Sequence, residues 1–89
     1  MTLTAERTAR AAEPVRLSAL TKELGIEQYT RRLMIEQGLV TPLAPVRRGA
    51  PTYVDEKDAE DVRQAWVTAL KIGISVIIVL KVLRALDGN

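Results

Sequence analysis

Three of the chain's four prolines, Pro42, Pro45 and Pro51, stand close together in a sequence that reads as helix on both sides of them. A proline inside a helix removes a backbone hydrogen bond, and its ring collides with the preceding turn, so this stretch cannot be helical. It divides the 89 residues into two short helical patterns before it and two longer ones after it. A chain of that length makes one small domain with a marginal core. Within the stretch, Arg47 and Arg48 precede Gly49, a residue that readily takes the positive φ of a tight turn. Leu39-Val40 and Tyr53-Val54 flank it as strand-like pairs. Their expected meeting makes a two-stranded wing with the arginine pair at its tip.

Residues 1–14 are rich in Ala, Thr, Arg and Glu and show no apolar face, which predicts a flexible arm ending at Pro14. Arg7 or Arg10 of that arm could still touch a phosphate. Residues 15–89 form the expected folded domain. From Val15 onward, Leu17, Leu20 and Leu24 recur at helical spacing, with Ser18 as the expected cap and Gly25 as the left-handed stop. A second helix is expected from about Glu27 to Gln37, with Leu33, Thr30 and Ile35 turned inward and Gly38 marking its end. Two short helices about a glycine turn fit either a helix-turn-helix or an ordinary helical hairpin, and these residues alone leave both open.

After the proline stretch, Asp55 is the expected cap of a third helix. The cluster Asp55, Glu56, Asp58, Glu60 and Asp61 puts negative charge where the helix dipole favours it. Val62, Ala65, Trp66, Ala69 and Leu70 continue as an apolar stripe, with Trp66 expected in the core. In the last segment, SVIIVLKVLRALD, Val76, Val79, Leu80, Leu83 and Leu86 make one stripe and Ile78, Val82 and Ala85 a second. Together they cover roughly 220° of the helix, where a core-facing stripe typically needs little more than about 100°. Ile77, Ile78 and Val82 are therefore expected to meet a second copy of the chain.

Composition narrows the chemistry. With no cysteine and no histidine, neither a disulfide framework nor a zinc or thiolate site is expected. Paired carboxylates without a nucleophile make no catalytic centre, so the expectation is a protein that is not an enzyme and uses no metal or cofactor. The amino-terminal residues carry charges where a signal peptide has its apolar core, and the run 72–80 is too short to span a bilayer. A cytoplasmic protein is expected. Residues 16–54 hold six basic and three acidic residues (+3), residues 55–63 two and five (−3), and residues 64–89 three and one (+2). The basic excess before Asp55 fits nucleic acid.

At the level of motifs, LGIEQYTRRLMIEQGLVTP, the proline- and arginine-bearing stretch, YVDEKDAEDVRQAWVTALKIGIS and the closing helix resemble, in order and spacing, the MerR-type winged helix-turn-helix. The resemblance implies a mainly α fold of about four helices with a short two-stranded β wing, binding double-stranded DNA. It implies that the second helix enters the major groove through Gln28, Tyr29, Arg31 and Arg32. Of these, Gln28, Tyr29 and Arg31 are expected to read bases and Arg32 to brace a phosphate. The wing contacts would come from Arg47, Arg48 and Tyr53. Leu33 and Met34 stand where family members carry a tyrosine pair, and Ala50-Pro51 where an aromatic and a basic residue are usual, so Arg47 and Arg48 carry more of the contact. The chain stops at Asn89 without the family's long coiled coil, so the expectation is a stand-alone form with no small-molecule effector. Its expected role is a small transcriptional regulator or repressor that binds cooperatively. The alternatives are an excisionase-like factor that bends DNA, and a protein-interaction adaptor using the apolar last helix.

Overall fold

A computed structural model describes residues 13–87, so all but Glu13 and Pro14 of the expected arm lie outside the described residues. β1 (Val15–Arg16) runs directly into α1 (Leu17–Leu24), and α2 (Gln28–Glu36) follows after a three-residue turn. β2 (Tyr53–Val54) then precedes α3 (Glu56–Ile72) and α4 (Val76–Asp87). The described chain is thus mainly helical, with four helices and a small two-stranded antiparallel sheet.

The strands pair differently from the expectation. β2 lies against β1, with Val15 opposite Val54 and Arg16 opposite Tyr53, and Leu39-Val40 takes no part. Leu39 and Val40 are both buried, and their N–H groups donate to the carbonyl of Met34 at 2.8 and 3.3 Å. That dipeptide therefore finishes α2. A two-residue strand carries no alternation from which a register can be read. The 41–52 loop still touches the other edge of β2, where the Leu43 N–H donates to the Tyr53 carbonyl at 2.9 Å.

Local signals set the helix boundaries. α1 stops at Gly25, whose φ of 83° lets its N–H turn back to the carbonyls of Lys22 and Thr21. Asp55 caps α3 as expected, its Oδ1 accepting the Asp58 N–H at 2.9 Å. Ser18, by contrast, lies inside the first turn of α1, and Arg16 holds the cap position without a side-chain bond.

The core is built where α3 packs on α4 and α1, with α2 closing it against α1 and α4. Leu17, Leu20, Met34, Val54, Val62 and Leu80 exclude solvent almost completely, and the small residues Ala59, Ala65 and Ala69 of α3 let its neighbours approach closely. On α2 the fully buried residue is Met34, while Thr30, Leu33 and Ile35 are only half-buried at the edges of the contact. Trp66 is likewise half-buried and packs against the core. On α4 the buried face consists of Val76, Ile77 and Leu80. Ile77 is only 8% exposed, which corrects its expected place in a self-association surface. The Ser75 hydroxyl accepts the Ile77 N–H at 3.1 Å, so the first turn is fixed with that residue inward. Ile78 and Val82 remain exposed. Among the described residues no helix is long and apolar enough to cross a membrane.

Candidate nucleic-acid interface

Because Met34 must face the core, the opposite side of α2 is set. Gln28, Arg32 and Glu36 recur at four-residue steps along it, with Tyr29 beside them, and all four are exposed. Of the expected recognition residues, Gln28, Tyr29 and Arg32 therefore share one outer face. Arg31 sits on the flank, half-buried, and turns toward the proline loop.

The loop brings its arginines forward by a tight turn. The Ala50 N–H donates to the Arg47 carbonyl at 3.2 Å, and Gly49 occupies the third position with φ of 81°. A side chain at that φ would be strained, so glycine is what allows the turn to close here. Arg47 and Arg48 are exposed. Behind the turn the chain returns past α2, and Gly49 to Thr52 form one wall of a cleft of about 200 Å³. Arg31 and Arg16 line the same cleft. Tyr53 stands apart from this group. It lines a separate, proline-walled cleft of about 290 Å³ with Pro14, Leu43, Pro45 and Pro51.

The ion pairs are confined to one region. Among the described residues every ion pair lies within α3 and α4, where Lys57, Arg63 and Arg84 meet Glu56, Asp58, Glu60, Asp61 and Asp87. Arg16, Arg31, Arg32, Arg47 and Arg48 take part in none of these pairs. The acidic start of α3 thus serves internal bonds as well as the helix dipole. No group of three or more His, Cys, Asp or Glu side chains among the described residues is arranged to hold a metal ion.

One cluster that the sequence pattern does not announce holds the loop in place. The Arg84 guanidinium donates to the Leu39 carbonyl at 2.7 Å, to Asp61 at 2.6 Å and to Asp58 at 3.1 Å. Asp58 in turn accepts the Thr41 N–H at 2.8 Å. A single side chain from α4 therefore ties α3 to the peptide that opens the loop. Burial acts to raise the pKa of Asp61, yet hydrogen bonds from Arg84 and Lys57, with the charges of both, hold it below its ordinary value. Arg16 is a second site residue absent from the sequence expectations. Its signal is faint, since it becomes visible only once β1 is placed beside α2 and the loop.

Compared with protein-family models, with curated proteins and with solved structures, the chain gives no match in any of the three.

Proposed function

We propose that this chain is a non-enzymatic, sequence-specific double-stranded DNA-binding protein, a MerR-like winged helix-turn-helix that acts as a small transcriptional regulator or repressor. In this reading α2 enters the major groove and the 41–52 loop serves as the wing. The observation that carries it is the gathering of five arginines of β1, α2 and the loop that take part in no ion pair among the described residues, whereas Lys57, Arg63 and Arg84 are held by carboxylates of α3 and α4. A guanidinium that neutralises no carboxylate is available to displace the counterions of a phosphate backbone. The three-residue, glycine-containing turn between α1 and α2 has the proportions of a helix-turn-helix. Gln28 and Arg32 are the residue types that make bidentate contacts with adenine and guanine edges.

Selection of bound duplexes from a randomised pool tests this reading, followed by titration of the selected site against its single-base variants. Arg32→Ala is expected to relax discrimination at one base pair by about 1–3 kcal/mol. Its melting temperature should stay unchanged, because the side chain is exposed. If the wild-type chain binds selected and random duplexes equally, the reading of α2 as a sequence reader fails.

Assembly on DNA is assigned to the outer face of α4. Ile78, Val82 and Leu86 follow one another at four-residue steps and are 51%, 55% and 66% exposed. They make a nearly uncharged apolar surface, flanked by Lys81, and in this reading a second copy covers it. Ile78→Glu is expected to abolish cooperative filling of adjacent sites while leaving first-site affinity and melting temperature intact. Retained cooperativity in that variant would remove α4 from the assembly. An adaptor that uses this face without DNA predicts instead that neutralising the arginines changes no interaction.

A further inference from the structure

The cleft between β1, α2 and the loop is not explained by packing. Its polar lining consists of Arg16, Ser18, Arg31 and Thr52, and no carboxylate borders it. Two guanidinium-bearing residues come to it from different elements, Arg16 from the end of β1 and Arg31 from the flank of α2. Like charges do not converge without cost, yet neither arginine has an ion-pair partner among the described residues. The arrangement around them is held firmly. Arg16 is paired in register with Tyr53, and the Leu17 N–H donates to the Thr52 carbonyl at 2.9 Å, so strand, helix start and loop wall form one unit. Guanidinium groups carried on such a fixed backbone present fork donors that match a planar or tetrahedral oxyanion.

We infer that this cleft is a seat for one backbone phosphodiester of the duplex, held by Arg16 and Arg31 together, with the hydroxyls of Ser18 and Thr52 as further donors. The inference rests on the DNA-binding reading and deepens it by reversing the sequence expectation for the arginine pair. Arg31, on the flank, positions the backbone, and Arg32, on the outer face, is the one free to reach base edges. A tetrahedral phosphodiester suits the site better than a carboxylate, because donors approach from two walls instead of one. The cleft also continues the positive surface of the Arg47–Arg48 turn, as the loop wall begins at the adjacent Gly49.

The test uses the full chain with a selected duplex, titrated at several salt concentrations for Arg16→Ala, Arg31→Ala and the double variant, with melting temperatures as a control. Each single change is expected to weaken binding roughly fivefold at physiological salt and to lower the log–log salt slope by less than one, and the double variant to lower it by about one, since a single phosphate is at stake. The ranking of base variants should stay the same. The double variant is expected to lose less than the product of the two single losses, because both side chains hold the same phosphate. Full affinity and an unchanged slope for Arg16→Ala, with Arg32→Ala impaired, would overturn this seat and leave the DNA reading standing. Absence of duplex binding by the wild-type chain would overturn both. Amide shifts of Ser18 and Thr52 on adding duplex, and not on adding inorganic phosphate, are expected. The reverse pattern would assign the site to a free phosphate compound and overturn the backbone source. Arg16→Lys is expected to recover the salt slope but only part of the affinity, since an ammonium supplies the charge without the fork.

Discussion

Arg84→Ala is expected to destabilise the folded chain by about 2–4 kcal/mol, read as a fall in the denaturation midpoint. The loss exceeds that of a surface ion pair because the three partners are largely shielded, with side-chain exposures of 23% for Arg84, 15% for Asp58 and 18% for Asp61. Removing the guanidinium leaves the Leu39 carbonyl without its donor and two shielded carboxylates with only the Thr41 N–H and Lys57, so the desolvation already incurred is much less offset. Breaking a fully buried pair costs about 3–5 kcal/mol, and the residual exposure here lowers the figure. Small domains have only about 5–15 kcal/mol in total, so the variant sits near the edge of folding. Arg84→Lys should recover only part of the loss, because an ammonium cannot reach Leu39, Asp58 and Asp61 from one plane. A variant as stable as the wild type would show that the clamp is decoration.

The same clamp gives an acid signature with a definite sign. The folded-state pKa of Asp61 lies below its ordinary value, so its contribution to stability is fully present above the unfolded pKa of about 3.9. It is lost as the pH falls through the folded pKa. Without Arg84 the first cause, burial, acts with less opposition and the Asp61 pKa rises. The acid transition of Arg84→Ala should therefore begin at a higher pH than that of the wild type. The clamp also opens the loop at Leu39 and Thr41, so partly folded variants should lose DNA affinity along with stability.

The double variant Arg47→Ala, Arg48→Ala is expected to weaken binding to every duplex by roughly 10- to 50-fold at physiological salt. Its log–log salt slope should fall by nearly two, one counterion for each phosphate that is no longer neutralised. Both side chains are exposed and belong to a turn closed by backbone, the Ala50 N–H to the Arg47 carbonyl, so their removal should not alter the melting temperature. Discrimination among base variants should be retained, because in the proposed interface both guanidinium groups meet the phosphate backbone and not the base edges. A loss confined to one base pair would instead place an arginine of the turn in a groove, most simply a narrow minor groove. An unchanged salt slope would take the loop out of the interface.

Several features of this protein are written locally and are legible in the sequence. The prolines exclude helix from the loop, Gly25 ends α1, Asp55 caps α3, and Gly49 allows the arginine turn, because each depends on the conformational preference of one residue or of its near neighbours. Arg84 is half-legible. It follows Leu80 by four residues and Ile77 by seven, so periodicity puts it on the buried side of α4, and a charge there demands a partner. Nothing local names Asp58, Asp61 or the Leu39 carbonyl as that partner.

What tertiary structure alone decided is which distant pieces meet. Val15–Arg16 and Leu39–Val40 are equally strand-like next to β2, and the choice fell to β1 because Leu39 and Val40 are buried and bonded to the end of α2. The apolar arc of α4 is wider than any one contact, so its sequence fits several rotations. Packing on α3 and the Arg84 clamp selected the one that buries Ile77 and exposes Ile78. Arg31 and Arg32 are adjacent in sequence and alike in chemistry, yet they are separated once Met34 turns to the core, since neighbouring residues on a helix point about 100° apart. Local preferences fix elements and their ends, whereas the energies that choose among pairings and rotations come from burial shared between segments far apart in the chain.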